Sequence, residues 1–127
     1  MNNIYHFSLH LQFSKDCDVN LIEKTLGVSA YKKSSLNESK GKNKTAKLWF
    51  KSNDYDNPDT YSCFKNFVNK HKKLLELIGK FNNEFNGKTT FTIYFDKVPE
   101  KPYIKLEKEE MLLLAENNIS FEVDFRI

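Results

Sequence analysis

The stretch "IYHFSLHLQF", Ile4–Phe13, alternates large apolar side chains with polar ones. Successive side chains of a β-strand point to opposite faces, so this alternation predicts a strand with one buried face and one polar face. The apolar set consists of Tyr5, Phe7, Leu9, Leu11 and Phe13. The polar set consists of His6, Ser8, His10 and Gln12. Such a strand is typical of a sheet that packs only one of its faces on a core.

The same alternation returns twice further along the chain. The stretches "TTFTIYFD", residues 89–96, and "ISFEVDFRI", residues 119–127, each set apolar side chains on one face and polar ones on the other. A fourth strand is predicted for "AKLWFK", residues 46–51. Its phase is ambiguous, because Trp49 competes with the pair formed by Leu48 and Phe50 for a place in the core.

Helices are predicted between these strands. Asp18 is a suitable N-cap for a short helix over residues 18–26, and Gly27 is a suitable end for it. A longer helix is predicted to begin after Asn57, with a proline in its first turn. Apolar side chains then recur at steps of three and four, and Gly79 is expected to end or bend this helix.

A third helix is predicted over residues 108–116.

Together these patterns predict an α+β fold: a single two-layer domain over residues 1–127, built on an about four-stranded, mostly antiparallel or mixed sheet. The helices are expected on one face of the sheet, which gives the domain a ferredoxin-like character. Residues 32–45 are rich in lysine and have no apolar period, so we expect a basic flexible loop there.

The composition indicates a globular chain with a mild positive charge. The 127 residues are 39% hydrophobic and carry a formal net charge of +3, which suits one domain with its own core. Among the 20 basic residues only Arg126 is an arginine. Arginine is the side chain whose planar fork grips phosphates and guanine edges. We therefore expect no specific nucleic-acid binding.

The sequence also allows a prediction of where in the cell the protein is found. The opening "MNNIYHF" lacks the basic and then apolar plan of a signal peptide, and the longest apolar run, residues 111–115, is far too short for a bilayer. The two cysteines, Cys17 and Cys63, have no metal-binding spacing and are interpreted as reduced thiols. We expect a cytoplasmic protein that does not associate with a membrane.

No familiar catalytic or metal-binding motif is present. His6 and His10 lie four residues apart on a strand, about 13 Å, which is too far for both to bind one metal ion. The acidic stretch at residues 54–65 has Asp59 and Lys65 where a calcium loop needs glycine and glutamate. We therefore expect no enzymatic activity, no catalytic residues, no metal site and no cofactor.

The polar side of the alternating strands is the candidate functional surface. The chain has 19 lysines, yet none lies in residues 4–13, 89–96 or 119–127. Depletion of lysine around an outward tyrosine is typical of a protein contact surface. Two alternatives stay open: strands disfavour lysine in general, and the basic loop could cover this surface. The candidate partner-binding residues are His6, His10, Tyr94, Asp96, Glu122 and Asp124.

The order of these features resembles the bacterial domain-of-unknown-function family 4279 over nearly the whole chain. The features are an alternating first strand, a short helix ending in "LG", a variable loop with Gly41 and a strand with Trp49. They continue with a long helix, another strand, a helical stretch over residues 106–114 and a last strand carrying "VDF" with Asp124. The resemblance implies a small α+β domain from a bacterium and transfers no catalytic residue.

Two functions are compatible with these observations. The first is a non-enzymatic protein-binding domain, and more narrowly an immunity protein that binds and neutralises a bacterial toxin domain, which rests on analogy with small domains of this kind. The alternative is an RNA-binding or regulatory module that uses the polar strand faces or the lysine-rich loop. The strand at residues 89–96 lacks the aromatic signature of common RNA-binding sheets, which favours the first function.

Overall fold

The computed structural model describes residues 2–99 and 101–126, which form an α+β fold with a six-stranded sheet and four α-helices. The elements follow one another as β1 (Ile4–Phe13), α1 (Val19–Leu26), β2 (Lys32–Ser34), β3 (Ala46–Lys51), β4 (Tyr55–Asp56), α2 (Thr60–Lys70), α3 (Lys72–Glu84), β5 (Gly87–Lys97), α4 (Lys108–Glu116) and β6 (Ile119–Phe125). The described helices are all too short or too polar to cross a membrane.

The strands lie in the order β2-β3-β1-β5-β6, and β4 pairs with the beginning of β1. Every pairing is antiparallel except that of β5 with β6, so the expected mostly antiparallel, mixed sheet is confirmed. The count of about four strands is too low for the described residues, because β2 and β4 have only three and two residues and therefore no alternating pattern. The two-layer, ferredoxin-like arrangement is not confirmed.

The core forms on the odd-numbered face of β1. The five apolar side chains of its alternating pattern are all buried, and β5 lies beside them with Phe91 opposite Leu9. Phe64 of α2 closes over this face, with its ring 6.2 Å from that of Phe7 and 5.6 Å from that of Phe91. Leu75 of α3 is fully buried in the same cluster. The alternation in residues 4–13 therefore predicted the core side of the central strand.

The ambiguous phase of β3 is resolved by its contacts. Leu48 and Phe50 are buried in the core, while Trp49 points to the opposite side of the sheet and lies across from His10 of β1. Trp49 is only partly buried there.

The caps of the first two helices differ in how well the sequence predicted them. α1 begins after Asp18, whose carboxylate accepts hydrogen bonds from two backbone N–H groups, and ends at Gly27 with a left-handed φ of 71°. Both features were predicted. α2 begins later than predicted, because Asp59 rather than Asn57 is its N-cap. The Asn57 side chain instead accepts a hydrogen bond from the backbone of Asp59.

The long predicted helix is divided at His71, not at Gly79. His71 has φ −105° and ψ 21° and separates α2 from α3. Gly79 lies buried in the interior of α3, where a Cβ would come within 1.9 Å of the Asn117 side chain after α4. The glycine is therefore required for close packing of two segments rather than for ending the helix.

The basic segment at residues 32–45 contains regular structure that its composition did not reveal. Its first residues form β2, which pairs antiparallel with β3 and extends the sheet at its edge. A short 3-10 helix, Leu36–Glu38, follows and is closed by a capping box between Ser35 and Glu38.

Candidate functional site

The even-numbered side chains of β1, β5 and β6 and the odd-numbered side chains of β3 share the side of the sheet that faces away from the core. We call this side the polar sheet face. In the strand register His6 lies opposite Tyr94, and Tyr94 lies opposite Asp124 on β6. Thr92 lies opposite Glu122 in the same way. The strand pairing therefore places the predicted candidates Tyr94, Glu122 and Asp124 beside His6 on one surface.

A stack of three side chains lies on this surface, towards the end of the sheet where β1 begins and β5 ends. The His6 and Tyr94 rings have centroids 5.2 Å apart and planes inclined by 22°. The guanidinium carbon of Arg126 lies 4.6 Å from the centroid of the Tyr94 ring, which is cation–π geometry. Arg126 also donates a 3.0 Å hydrogen bond to Oδ1 of Asp96. The aromatic, the arginine and the carboxylate fix one another in place.

The His6 imidazole lies between two carboxylates. It is only 8% exposed, and its Nδ1 lies 3.6 Å from Oδ2 of Asp96 and 3.7 Å from Oδ1 of Asp54. Burial lowers the pKa of His6 below its usual value, and the charge of Arg126 lowers it further, while Asp96 and Asp54 oppose the shift. The net shift favours the neutral form of the imidazole.

Asp54 reaches this cluster because the chain leaves the sheet between β3 and β4. Ser52 holds the start of that turn against β1, since its backbone N–H donates to the carbonyl of Phe7 at 2.8 Å and its hydroxyl accepts from the Phe7 N–H at 3.0 Å. Two residues later the side chain of Asp54 lies above His6. Sequence reasoning did not place Asp54 in this cluster, because Asp54 arrives through contacts distant in sequence. It placed Arg126 on the polar side of the last strand but did not include it among the candidate partner-binding residues.

His10 does not belong to this cluster. It lies further along β1, edge-on to Trp49, with ring centroids 4.7 Å apart and planes inclined by 83°. Burial, with a smaller contribution from the charge of Lys47, lowers the pKa of His10 to about 4. The structure therefore separates the two histidines that the sequence places on the same side of β1.

The polar sheet face has an acidic side and a basic side. The acidic side is formed by exposed Glu122 and Asp124 on β6. On the basic side, Lys32 lies 4.5 Å from the Trp49 ring and Lys51 lies 5.0 Å from the ring of exposed Tyr31. The absence of lysine noted in the three alternating stretches therefore does not extend to the whole face, since exposed Lys88 at the start of β5 lies opposite Gln12 and the β3 side carries further lysines.

A groove of about 640 Å³ opens on the core side of the sheet, and Asp54 of the His6 cluster belongs to its lining. Apolar side chains, including Phe7, Leu9 and Phe67, line its walls, and Lys51, Lys70 and His71 lie among its polar lining. Of the six residues proposed from the sequence, none lines it.

Comparisons of the chain with protein-family models, curated proteins and solved structures gave no match. The resemblance to family 4279 stays a prediction that rests on the residues given above.

Proposed function

We propose that this chain is a non-catalytic protein-binding domain whose partner docks on the polar sheet face, and that the partner is a bacterial toxin domain that the chain neutralises as an immunity protein. The observation that supports docking is the stack of His6, Tyr94 and Arg126 on the face. The toxin assignment rests on analogy with small domains of similar architecture.

The stack has the properties of a binding anchor. Tyrosine and arginine are enriched among the residues that dominate binding energies. Tyr94 is held by ring contacts on β5 and remains partly exposed. Because its side chain is already ordered, it loses little conformational freedom when a partner binds.

The distribution of charge favours a defined orientation of the partner. Glu122 and Asp124 are exposed on the β6 side of the face, and Lys32 and Lys51 lie on the β3 side. A partner that presents a basic surface to the acidic side would be steered into place, since charge complementarity acts mainly on the association rate.

A non-catalytic role is consistent with the state of the thiol nearest to a helix start. Burial raises the pKa of Cys17, and the neighbouring carboxylates of Asp16 and Asp18 raise it further. A raised pKa disfavours the thiolate that a cysteine nucleophile requires.

Site-specific crosslinking tests this function. A photoreactive phenylalanine derivative would replace exposed Ser120 on the polar sheet face, with the same replacement at exposed Lys80 of α3 and Lys42 of the basic segment as controls. We expect one protein from the native host to crosslink at Ser120 and not at the controls, and we expect it to be a toxin domain whose activity the purified chain inhibits. Crosslinking only at a control position would contradict docking on the face, and a captured partner without toxic activity would contradict the immunity role.

A second candidate function is supported by the basic side of the face. Trp49 and Tyr31 lie 6.0 Å apart and each carries a lysine against its ring. Tyr31 is exposed and Trp49 is partly exposed. Proteins bind single-stranded nucleic acids by stacking bases on accessible aromatic side chains and neutralising phosphates with basic ones.

Fluorescence of Trp49, the single tryptophan, tests this alternative directly. A single-stranded RNA that stacks there would quench the emission, and Lys51→Glu should weaken the quenching while Lys80→Glu should not. Because the chain offers few arginine contacts, we expect any binding to be lost near physiological salt. Tight quenching that persists at that salt would favour the RNA-binding function over the protein-binding one.

A further inference from the structure

Three potential metal ligands from different parts of the chain converge beside the stack. His6 comes from β1, Asp96 from β5 and Asp54 from the turn between β3 and β4. One donor atom from each of these side chains lies within 4.8 Å of the other two. Binding of a protein partner does not require three such side chains to converge, so this observation is independent of the proposed function.

The distances between Nδ1 of His6 and the two carboxylates are too long for hydrogen bonds. They are close to the distances between neighbouring ligand atoms around one bound metal ion. Nδ1 of His6 lies 3.6 Å and 3.7 Å from its two nearest carboxylate oxygens, whereas N–H···O hydrogen bonds span about 2.7–3.2 Å. In a tetrahedral zinc site with bonds of about 2.0–2.2 Å, neighbouring ligand atoms stand roughly 3.3–3.6 Å apart. Both distances from Nδ1 lie at or within about 0.1 Å of that range, and all three donor atoms lie within 4.8 Å of one another.

The surroundings of Nδ1 of His6 also indicate that a ligand binds there. The side chain is nine-tenths buried, and Nδ1 is inaccessible to solvent without a hydrogen bond to any residue in 2–99 or 101–126. A buried polar atom without a partner is costly and is rare in native proteins. A metal ion bound to the nitrogen lone pair would satisfy it.

The surroundings orient the donor atoms. Arg126 bonds Oδ1 of Asp96 and leaves Oδ2 turned towards His6. The Tyr94 ring lies against the imidazole and sets its plane. Asp54 is the most exposed of the three side chains, with 73% of its side chain exposed. An ion would therefore enter the site past the Asp54 carboxylate.

We propose that His6, Asp54 and Asp96 form a binding site for a divalent transition-metal ion of the Zn²⁺ type, with Nδ1 and one oxygen of each carboxylate as ligands and water in the remaining position. An imidazole with two carboxylates suits zinc, whereas calcium and magnesium take oxygen ligands. The bound ion would tie the turn between β3 and β4 to the centre of the sheet.

Zinc binding to the purified, chelator-treated full chain tests this site. The variants are Asp54→Asn, whose exposed position leaves folding undisturbed, and Asp96→Asn, with Asp56→Asn on β4 as the matched control. Calorimetric titration with Zn²⁺ gives the number of sites and the affinity, and long-range ¹H–¹⁵N spectra report which imidazole nitrogen changes. A chain with Cys17→Ser removes one of the two partly exposed thiols as a competing ligand.

We expect one zinc ion per chain, with imidazole nitrogen shifts that change only in His6 and identify Nδ1 as the bound nitrogen. We expect binding at least tenfold weaker in Asp54→Asn and Asp96→Asn but unchanged in Asp56→Asn and Cys17→Ser. Zinc that binds both test variants as it binds the wild type, or that shifts His10 or His71 in place of His6, would overturn the proposal, as would the absence of binding at millimolar zinc.

Discussion

The imidazole of His6 lies nearly parallel to the phenol ring of Tyr94 across the β1–β5 pair, with their centroids 5.2 Å apart. Arg126 also lies over the Tyr94 ring, at 4.6 Å, and binds Asp96. This ring contact links β1, the strand with the clearest sequence pattern, to the polar sheet face on which the proposed function depends. It also means that a change at Tyr94 affects the environment of His6, so the two must be tested with variants chosen to separate them.

Replacing Gly79 with alanine should destabilise the protein. Alanine is the better helix former by about 1 kcal/mol, but its Cβ would come within 1.9 Å of the Asn117 side chain. Overpacking of this kind costs about 1–3 kcal/mol, so we expect a net loss in the free energy of unfolding measured with urea. Exposed Lys80→Ala in the same helix is the control, and Asn117→Gly should recover part of the loss. An increase in stability for Gly79→Ala alone would show that the contact is not tight.

Asn82 should contribute far more to stability than its neighbour Asn83. The Asn82 side chain is 3% exposed and donates to the backbone carbonyl of Asn117 at 2.9 Å and to the hydroxyl of Thr89 at 3.2 Å. Asn82→Leu leaves these buried groups without a partner, which costs about 1–3 kcal/mol. Asn83→Leu on the exposed side of α3 should change the free energy of unfolding by less than about 0.5 kcal/mol. Equal effects in the two variants would contradict this assignment.

His10 should make the protein less stable in mild acid. Its folded-state pKa is about 4, below the usual value of about 6.5, so the unfolded chain takes up a proton first as the pH falls. The stabilising contribution of neutral His10 is complete above pH 6.5 and is lost as the pH falls towards 4. Because the ring is partly exposed, we expect about 1 kcal/mol after allowance for solvent screening.

The measurement is the free energy of unfolding between pH 7 and pH 4 for the wild type and for His10→Gln. The glutamine variant should lose less stability over this interval, because other titrating groups contribute alike in both chains. Parallel curves would show that the surroundings of His10 do not shift its pKa.

The parts of the fold that are determined by neighbouring residues in the sequence could be predicted. The alternation of residues 4–13 gave both the core side and the polar side of β1, and Asp18 with Gly27 gave both ends of α1. β2 and β4 carried no such signal, because two or three paired residues do not establish a period. Gly79 was misleading, because its role depends on Asn117, a residue 38 positions away in the chain that packs against it.

The candidate site shows the same limit. Alternation alone placed His6 and Tyr94 on the polar side of their strands, and the register then paired them. Asp54 was not predicted, since it arrives through a turn held by Ser52. Alternation placed Arg126 on the polar side of its strand, but its contacts with Tyr94 and Asp96 depend on the parallel pairing of β5 with β6 and were not predicted. His10 was included with His6 because both lie on one side of β1, but its neighbour is Trp49.

The affinity of the cognate partner for Tyr94→Ala and Asp124→Lys, measured beside Lys42→Glu, tests the central claim most directly. Truncation of an anchoring aromatic costs at least ~2 kcal/mol, so Tyr94→Ala should weaken the complex by about 30-fold or more. Asp124→Lys should slow association with a basic surface and change its salt dependence. Lys42→Glu, in the basic segment, should change little, and circular dichroism should show that all three variants are folded. If Lys42→Glu abolishes binding while both polar-face variants keep the wild-type affinity, the partner does not dock on the polar sheet face.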